Sequence, residues 1–333
     1  MNPPIAVIGA GGWGTALAIT MARAEREVRL WAFEPYLVQT IVATRENPLY
    51  LPGARIPTSV HVTDSIREAL AGARILIVAV PSHVYRSVVT QALPHLNDHM
   101  VFASATKGIE NETLMRMSEV VIDVVSTKFT PRVAAISGPT FASEVAHGEP
   151  TALVVASPDE DLRLFLQREL SAPRFRLYTN ADIIGVEIGA AVKNIIAIAS
   201  GVVDGLGLGS NATAALITRG LAEITRLVLA CGGRRETVFG LAGLGDLILT
   251  AYGRLSRNRQ VGVALGQGRK IDEIISNMRM VAEGVKTTKS TVELARRLSV
   301  EMPIAEKMYA ALYESLDPRD AIADLMERRL KEE

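Results

Sequence analysis

One lysine, Lys193, stands in the stretch "GVEIGAAVKNIIAIASG", and no other Lys or Arg lies between Arg176 and Arg219. At helical spacing its face carries Gly189, Ala190, Ala197 and Ser200, small enough for a ligand or a second backbone to come close. A lysine desolvated in such a wall has a lowered pKa and can trade a proton near neutral pH. Reduction of a carbonyl requires that, because negative charge develops on oxygen as hydride arrives. The alternative is a lysine whose ammonium snorkels from a buried helix to solvent.

Other groups suit the same chemistry. Asp246, in "GLGDLILT", is an acid in a glycine-rich joint among apolar neighbours and can orient the lysine. Ser256, Arg257 and Asn258, in "GRLSRNRQ", combine a hydroxyl, a guanidinium and an amide at an apparent helix start, a combination that suits a phosphate. Asp246 and Ser256 are equally able to act as simple helix caps. Lys107, in "ATKG", follows an apolar run, where its ammonium can reach an anion or merely face solvent. Gly138, Pro139 and Thr140 form another strand-to-helix turn, whose N–H groups can meet an anion or a carboxamide.

A different chemistry is written near the N-terminus. "IAVIGAGGWGTALA" sets Gly9, Gly11 and Gly14 in the order G-x-G-x-x-G directly after the first apolar run. That order gives a tight turn, close backbone approach to a pyrophosphate, and helix packing against strand. A second apolar run, residues 28 to 33, ends at Glu34, about twenty residues past Gly14, where an acid that holds the adenosine ribose belongs. Glu34 otherwise faces solvent as the first-turn acid of a helix before Pro35.

These groups need a frame. Strand-like runs recur at 5–8, 28–33, 74–80, 100–104, 132–137 and 151–156, separated by helical segments such as 64–70 and 112–125. The alternation predicts a Rossmann-like, doubly wound and mainly parallel α/β sheet. A helix at 159–170 and a strand at 175–178 complete it. Beyond residue 182 the pattern turns to long helices with glycine joints at 205–209, 232–233 and 240–245. The expected division is therefore 1–182, a dinucleotide-binding domain, and 183–333, an all-α catalytic and substrate domain. The charged end "MERRLKEE" reads as the last turn of a helix.

Bulk properties narrow the classes. The 333 residues favour two domains, and equal counts of Lys+Arg and Asp+Glu, 36 each, argue against a general nucleic-acid or membrane-surface binder. The single cysteine, Cys231, excludes an internal disulfide, and no His/Cys spacing resembles a metal site, which fits a cytoplasmic protein. The first apolar stretch lacks a basic lead and is broken at once by glycines, so it reads as a strand and not as an export signal. Residues 183–203 are apolar enough for a membrane span, but Glu187, Lys193 and Asn194 within them point to a buried helix.

Taken together, "GAGGWGTALA", "AVPSH", "ATKGIE", "SGPTFASEVA", "AAVKNIIAIASG", "TRGLAEI", "GLGDLILT", "GRLSRNR" and "VAEGVKT" resemble, in order and spacing, the bacterial-type NAD(P)-dependent glycerol-3-phosphate dehydrogenases. The resemblance implies reversible reduction of dihydroxyacetone phosphate, a small phosphorylated triose, to sn-glycerol 3-phosphate, which supplies phospholipid synthesis. It places the acid/base lysine on Lys193. Substrate contacts fall on Lys107, Gly138, Thr140, Asp246, Ser256, Arg257 and Asn258. Cofactor contacts fall on Gly12, Trp13, Lys107, Ala142, Arg257, Val281 and Glu283. It also implies a homodimer.

One position departs from the pattern. After Trp31 and Ala32 many relatives have a basic residue, whereas Phe33 and Glu34 follow here, which favours NADH over NADPH at this end of the site. The related β-hydroxyacid dehydrogenases share the Gly185, Gly189, Lys193 spacing, but would carry Asn four residues after the lysine. Here that position is Ala197, and Asn194 follows the lysine directly. A non-catalytic NADH sensor would call for a DNA-binding segment or basic stripe, and none is legible.

Overall fold

The computed structural model describes residues 3–278, 282–327 and 329. The chain opens with β1 (Ile5–Ile8), α1 (Gly12–Arg23), β2 (Val28–Trp31) and α2 (Pro35–Thr44). A short antiparallel hairpin follows, β3 (Glu46–Asn47) with β4 (Leu51–Arg55), and then β5 (Val60–Thr63) and α3 (Ile66–Leu70). Next come β6 (Ile75–Val78), α4 (Tyr85–Ala92), β7 (Val101–Ser104), α5 (Met117–Val125) and β8 (Arg132–Ser137). The sheet region closes with α6 (Ala142–His147), β9 (Thr151–Ala156), α7 (Glu160–Leu170) and β10 (Phe175–Asn180).

Eight strands form one sheet in the order β10-β9-β8-β7-β6-β1-β2-β5. All neighbours run parallel except β8 and β9. Strand order reverses between β1 and β6, and ligands of such sheets sit beyond the strand ends at that reversal. The central strands are buried throughout, as "IAVI" and "ILIV" require of a sheet covered on both faces.

Several boundaries differ from the sequence reading; the strand read at 74–80 spans only Ile75–Val78, and β10 runs on to Asn180. The second strand ends at Trp31, because Glu34 is already the N-cap of α2 and Pro35 its first residue. The helix expected from residue 112 begins only at Met117, where Arg116 and Glu119 form its cap; Leu114 before it has a φ of 62°.

From Ile183 onward every regular element is helical among the described residues: α8 (Ile183–Gly205), α9 (Ser210–Ala230), α10 (Arg235–Val238) and α11 (Asp246–Tyr252). These are followed by α12 (Arg257–Gly266), α13 (Ile271–Ser276), α14 (Glu283–Arg297), α15 (Pro303–Tyr313) and α16 (Pro318–Met326). Residues 328 and 330–333 of the charged end lie outside the described residues. α8 is long and apolar enough to cross a membrane, but 89% of its most apolar stretch is buried inside the protein.

The axis of this region is the contact of α8 with α12. A Cβ on Gly262 would stand 1.9 Å from the Ile198 carbonyl oxygen, and one on Gly201 would stand 2.1 Å from that of Arg259. Gly205 meets the Val263 carbonyl in the same way, so it extends α8 instead of opening the joint expected at 205–209. The two backbones touch only because glycine has no side chain.

Candidate active site

Lys193 sits in the middle of α8 with 4% of its surface exposed. Its Nζ donates to Asp246 Oδ1 at 2.9 Å and to Thr250 Oγ1 at 2.6 Å. The other carboxylate oxygen, Asp246 Oδ2, accepts from Lys107 Nζ at 2.7 Å. Lys107 also donates to the Gly138 carbonyl at 3.0 Å and to Thr140 Oγ1 at 3.3 Å. One carboxylate, itself 1% exposed, thus receives an ammonium on each oxygen.

Local structure explains these placements. A five-residue π turn, Leu241–Gly245, leads into α11, closed by the Gly245 N–H on the Gly240 carbonyl at 3.1 Å. Such turns widen the helix and re-aim the residue that follows. Gly243 lets the turn press on α10, since a Cβ there would lie 2.0 Å from the Val238 carbonyl. Asp246 is the first residue after the turn and Thr250 lies four further, on the same face of α11. Lys107 follows β7, and Gly138 follows β8 with a φ of 153°, where a Cβ would lie 3.0 Å from the Cα of Leu153 in β9.

Burial sets the electrostatics. It pulls the Lys193 pKa down, Asp246 partly restores it, and the cations Lys107 and Arg257 lower it further, with the result at about 8. Burial pushes the Asp246 carboxyl up, but Lys107 and Lys193 together outweigh burial and hold it below the ordinary carboxylate value.

The helix start read at Ser256 is the N-terminus of α12. Ser256 Oγ accepts from the Arg259 N–H at 3.2 Å, which leaves its own hydroxyl proton free to donate. Arg257 opens to solvent while protein crowds it elsewhere; that crowding lowers its pKa against the pull of Glu283. Asn258 is largely committed inside the protein, its Nδ2 to Asn194 Oδ1 at 2.9 Å and its Oδ1 to the Gly284 N–H at 3.0 Å. Among the described residues, one amide proton remains without a partner.

Glu283, the first residue of α14, accepts from Ser82 Oγ at 2.8 Å, so "VPSH" after β6 meets the helical region there. Burial raises the Glu283 pKa, opposed by Ser82 and Arg257. Val281 lies outside the described residues.

The glycine turn stands at the β1/β6 reversal. Gly9 has a φ of 115°, and a Cβ there would lie 2.7 Å from the Ala79 carbonyl, while one on Gly14 would lie 1.9 Å from the Gly9 carbonyl. Both glycines are therefore required by packing. Gly11 is not, since its Cβ would meet nothing within 4 Å, and its backbone stands open. A Cβ on Gly12 would lie 2.8 Å from the Tyr50 carbonyl oxygen and 3.7 Å from Ala142 Cβ. Trp13 Nε1 is buried without a partner among the described residues. An open glycine, the unpaired first N–H groups of α1 and an orphaned indole N–H fit a dinucleotide. At the end of β2, Phe33 is 73% exposed and edge-on to Trp31, and Glu34 accepts from the Tyr50 hydroxyl at 2.9 Å.

Sequence reasoning missed Thr250, Asn194, Ser82 and Tyr50 as partners of the residues it named. Thr250 alone had a local signal, its four-residue spacing from Asp246.

Two family models match the chain. The NAD-dependent glycerol-3-phosphate dehydrogenase N-terminus covers residues 4–163, and the C-terminus of the same enzyme covers residues 182–323. The chain belongs to this family. A member from Koribacter versatilis, named glycerol-3-phosphate dehydrogenase (NAD(P)+), is 60% identical over 326 residues, 97% of each chain. The crystal structure of glycerol-3-phosphate dehydrogenase from Coxiella burnetii is 42% identical with a TM-score of 0.95, covering 98% of this chain and 99% of that one. A ketopantoate reductase from Ralstonia eutropha, at 19% identity and a TM-score of 0.61 over 96% of this chain and 99% of that one, shares the fold alone.

Proposed function

We propose that this member of the glycerol-3-phosphate dehydrogenase family reduces dihydroxyacetone phosphate reversibly to sn-glycerol 3-phosphate with NADH or NADPH, and that Lys193 is its acid and base. The observation that carries the residue roles is the pair of ammonium groups on the one buried carboxylate of Asp246, beside the strand ends where the cofactor belongs. A bound reduced nicotinamide supplies the hydride. As that hydride reaches the substrate carbonyl carbon, the Lys193 ammonium gives its proton to the oxygen and becomes an amine, held in place by Asp246 and Thr250. Lys107, with Gly138 and Thr140, offers a second cation to the substrate oxygens.

The phosphate goes to the N-terminus of α12, where Ser256, Arg257 and the remaining Asn258 proton can donate. Gly9, Gly11, Gly12, Trp13, Gly14 and Ala142 receive the dinucleotide, with Lys107, Arg257 and Glu283 near its nicotinamide end. Phe33 and Glu34 receive the adenosine. Residues 1–182 then carry the cofactor, and residues 183–333 the proton donor and phosphate site. The product serves phospholipid synthesis, in a cytoplasmic homodimer.

A spectrophotometric assay tests this reading with both cofactors against dihydroxyacetone phosphate, unphosphorylated dihydroxyacetone and a β-keto acid. Only the first should turn over efficiently. A carboxylate at the ribose faces a 2′-phosphate with like charge, so NADH should be preferred and Glu34→Arg should shift the kcat/KM ratio toward NADPH. Preference for NADPH in the wild type, or a ratio unmoved by the charge reversal, would overturn the role of Glu34.

A further inference from the structure

The β3–β4 hairpin lies outside the eight-stranded sheet, and one side chain fastens it to the glycine turn. Asn47 is 0% exposed. Its Nδ2 donates to the Ala10 carbonyl at 2.8 Å and to Thr15 Oγ1 at 2.9 Å, while its Oδ1 accepts from the Tyr50 N–H at 3.1 Å. Both amide protons are thus spent on the two residues that bracket Gly11 to Gly14. The Tyr50 carbonyl presses on Gly12 from the same hairpin, and the Tyr50 hydroxyl reaches Glu34.

This arrangement answers a cost that the turn itself creates. Glycines at 9, 11, 12 and 14 leave the free backbone unusually mobile, yet the N–H groups of Gly12, Trp13 and Gly14 must converge to receive an anion. Holding Ala10 on one side and Thr15 on the other fixes the path between them before any ligand arrives. Tyr50 carries the same constraint to the acid at the end of β2.

We propose that Asn47 is a positioning residue for dinucleotide binding: it holds the glycine turn in its binding shape and couples that turn, through Tyr50, to Glu34. The proposal rests on the reading that a dinucleotide occupies the turn. Asparagine is specified by its two donors and one acceptor on opposite atoms. Aspartate has the same shape, loses both donors, and sets a carboxylate beside an anion site.

The test is the dissociation constant of ADP-ribose, measured by titration calorimetry on the full chain for the wild type, Asn47→Asp, Thr15→Val and Tyr50→Phe. Melting temperature confirms folding of each. Losing the paired donors should weaken ADP-ribose about tenfold or more in Asn47→Asp, the scale of one or two net hydrogen bonds. Thr15→Val, which removes one acceptor at constant shape, should weaken it severalfold, and Tyr50→Phe should weaken it less. In all three, kcat at saturating NADH and the pH at which activity falls should stay put, because the Lys193 group is untouched; a merely structural defect would not separate these readouts. Folded Asn47→Asp and Thr15→Val proteins that bind ADP-ribose within twofold of the wild type overturn the proposal, and Thr15→Val decides alone if Asn47→Asp does not fold. A wild type that binds no ADP-ribose overturns instead the dinucleotide reading beneath it.

Discussion

As the proposed acid and base, Lys193 meets two opposed requirements. It must hold a proton at neutral pH to complete a reduction, and it must release that proton readily. Burial pulls its pKa down, and Asp246 restores enough to leave it at about 8. Reduction needs the ammonium and should decline as pH rises through about 8, while oxidation of glycerol 3-phosphate needs the amine and should rise through the same range. Asp246→Asn removes the group that raises this pKa, so the declining limb should move to lower pH as turnover falls. A pH profile of kcat in both directions checks it, and an unmoved limb would detach Asp246 from the lysine. Lys193→Ala should cut turnover by roughly two to four orders of magnitude, the usual scale of general acid catalysis, with NADH affinity within about twofold. Turnover near the wild type would end the assignment. Lys193 and Asp246 were legible because each is a lone charge among small or apolar neighbours. Asn194 was not, since its partner Asn258 lies 64 residues away and only the crossing of α8 and α12 joins them.

At the scale of elements, the proposed phosphate site is only as well placed as α12, which is set by glycines. Gly201 and Gly205 of α8 face Gly262 and Gly266 of α12 at backbone distance. Gly262→Ala would put a methyl group 1.9 Å from the Ile198 carbonyl oxygen, so the helices must part. Overpacking of this kind costs about 1–3 kcal/mol. Because Ser256 and Arg257 start the displaced helix, KM for dihydroxyacetone phosphate should rise more than the dissociation constant of NADH. Denaturant unfolding and steady-state kinetics on the one variant check both parts, and an unchanged KM would mean that the phosphate is held elsewhere. In the sequence only Gly205 of these four is singled out, as the start of a joint, because a single chain does not reveal which helix will lie against it. The strands β4 and β5 were missed for a related reason: Pro52, Gly53 and Pro57 break the pattern, and β5 is an edge strand whose four residues leave His61 exposed.

The whole molecule depends on polar ties between its sheet and helical regions, since Lys193 and Asp246 belong to one and Lys107 to the other. Besides the Lys107–Asp246 and Ser82–Glu283 contacts, a third tie lies away from the reacting groups. Glu187 of α8 is buried and accepts from Arg116 at 2.6 Å, from the Ser118 N–H at 2.8 Å and from the Ser118 hydroxyl at 2.6 Å, all at the start of α5. Glu187 read from sequence only as an argument against a membrane span; its partner lies 71 residues away, and no local pattern marks the pair. Burial pushes the Glu187 carboxyl up, and the Arg116 guanidinium opposes that shift. A buried ion pair contributes little net stability over an apolar pair, but breaking one side leaves an unpaired charge at a cost of about 3–5 kcal/mol. Arg116→Met should therefore destabilise the chain on that scale, at the lower end because Ser118 still donates twice. Adding Glu187→Gln removes the stranded charge and should recover most of the loss. Chemical unfolding of the single and double variants measures the difference. If the double variant is no more stable than the single, the loss comes from packing of the Arg116 stem and its bond to Glu119, and the tie between the two regions is not electrostatic.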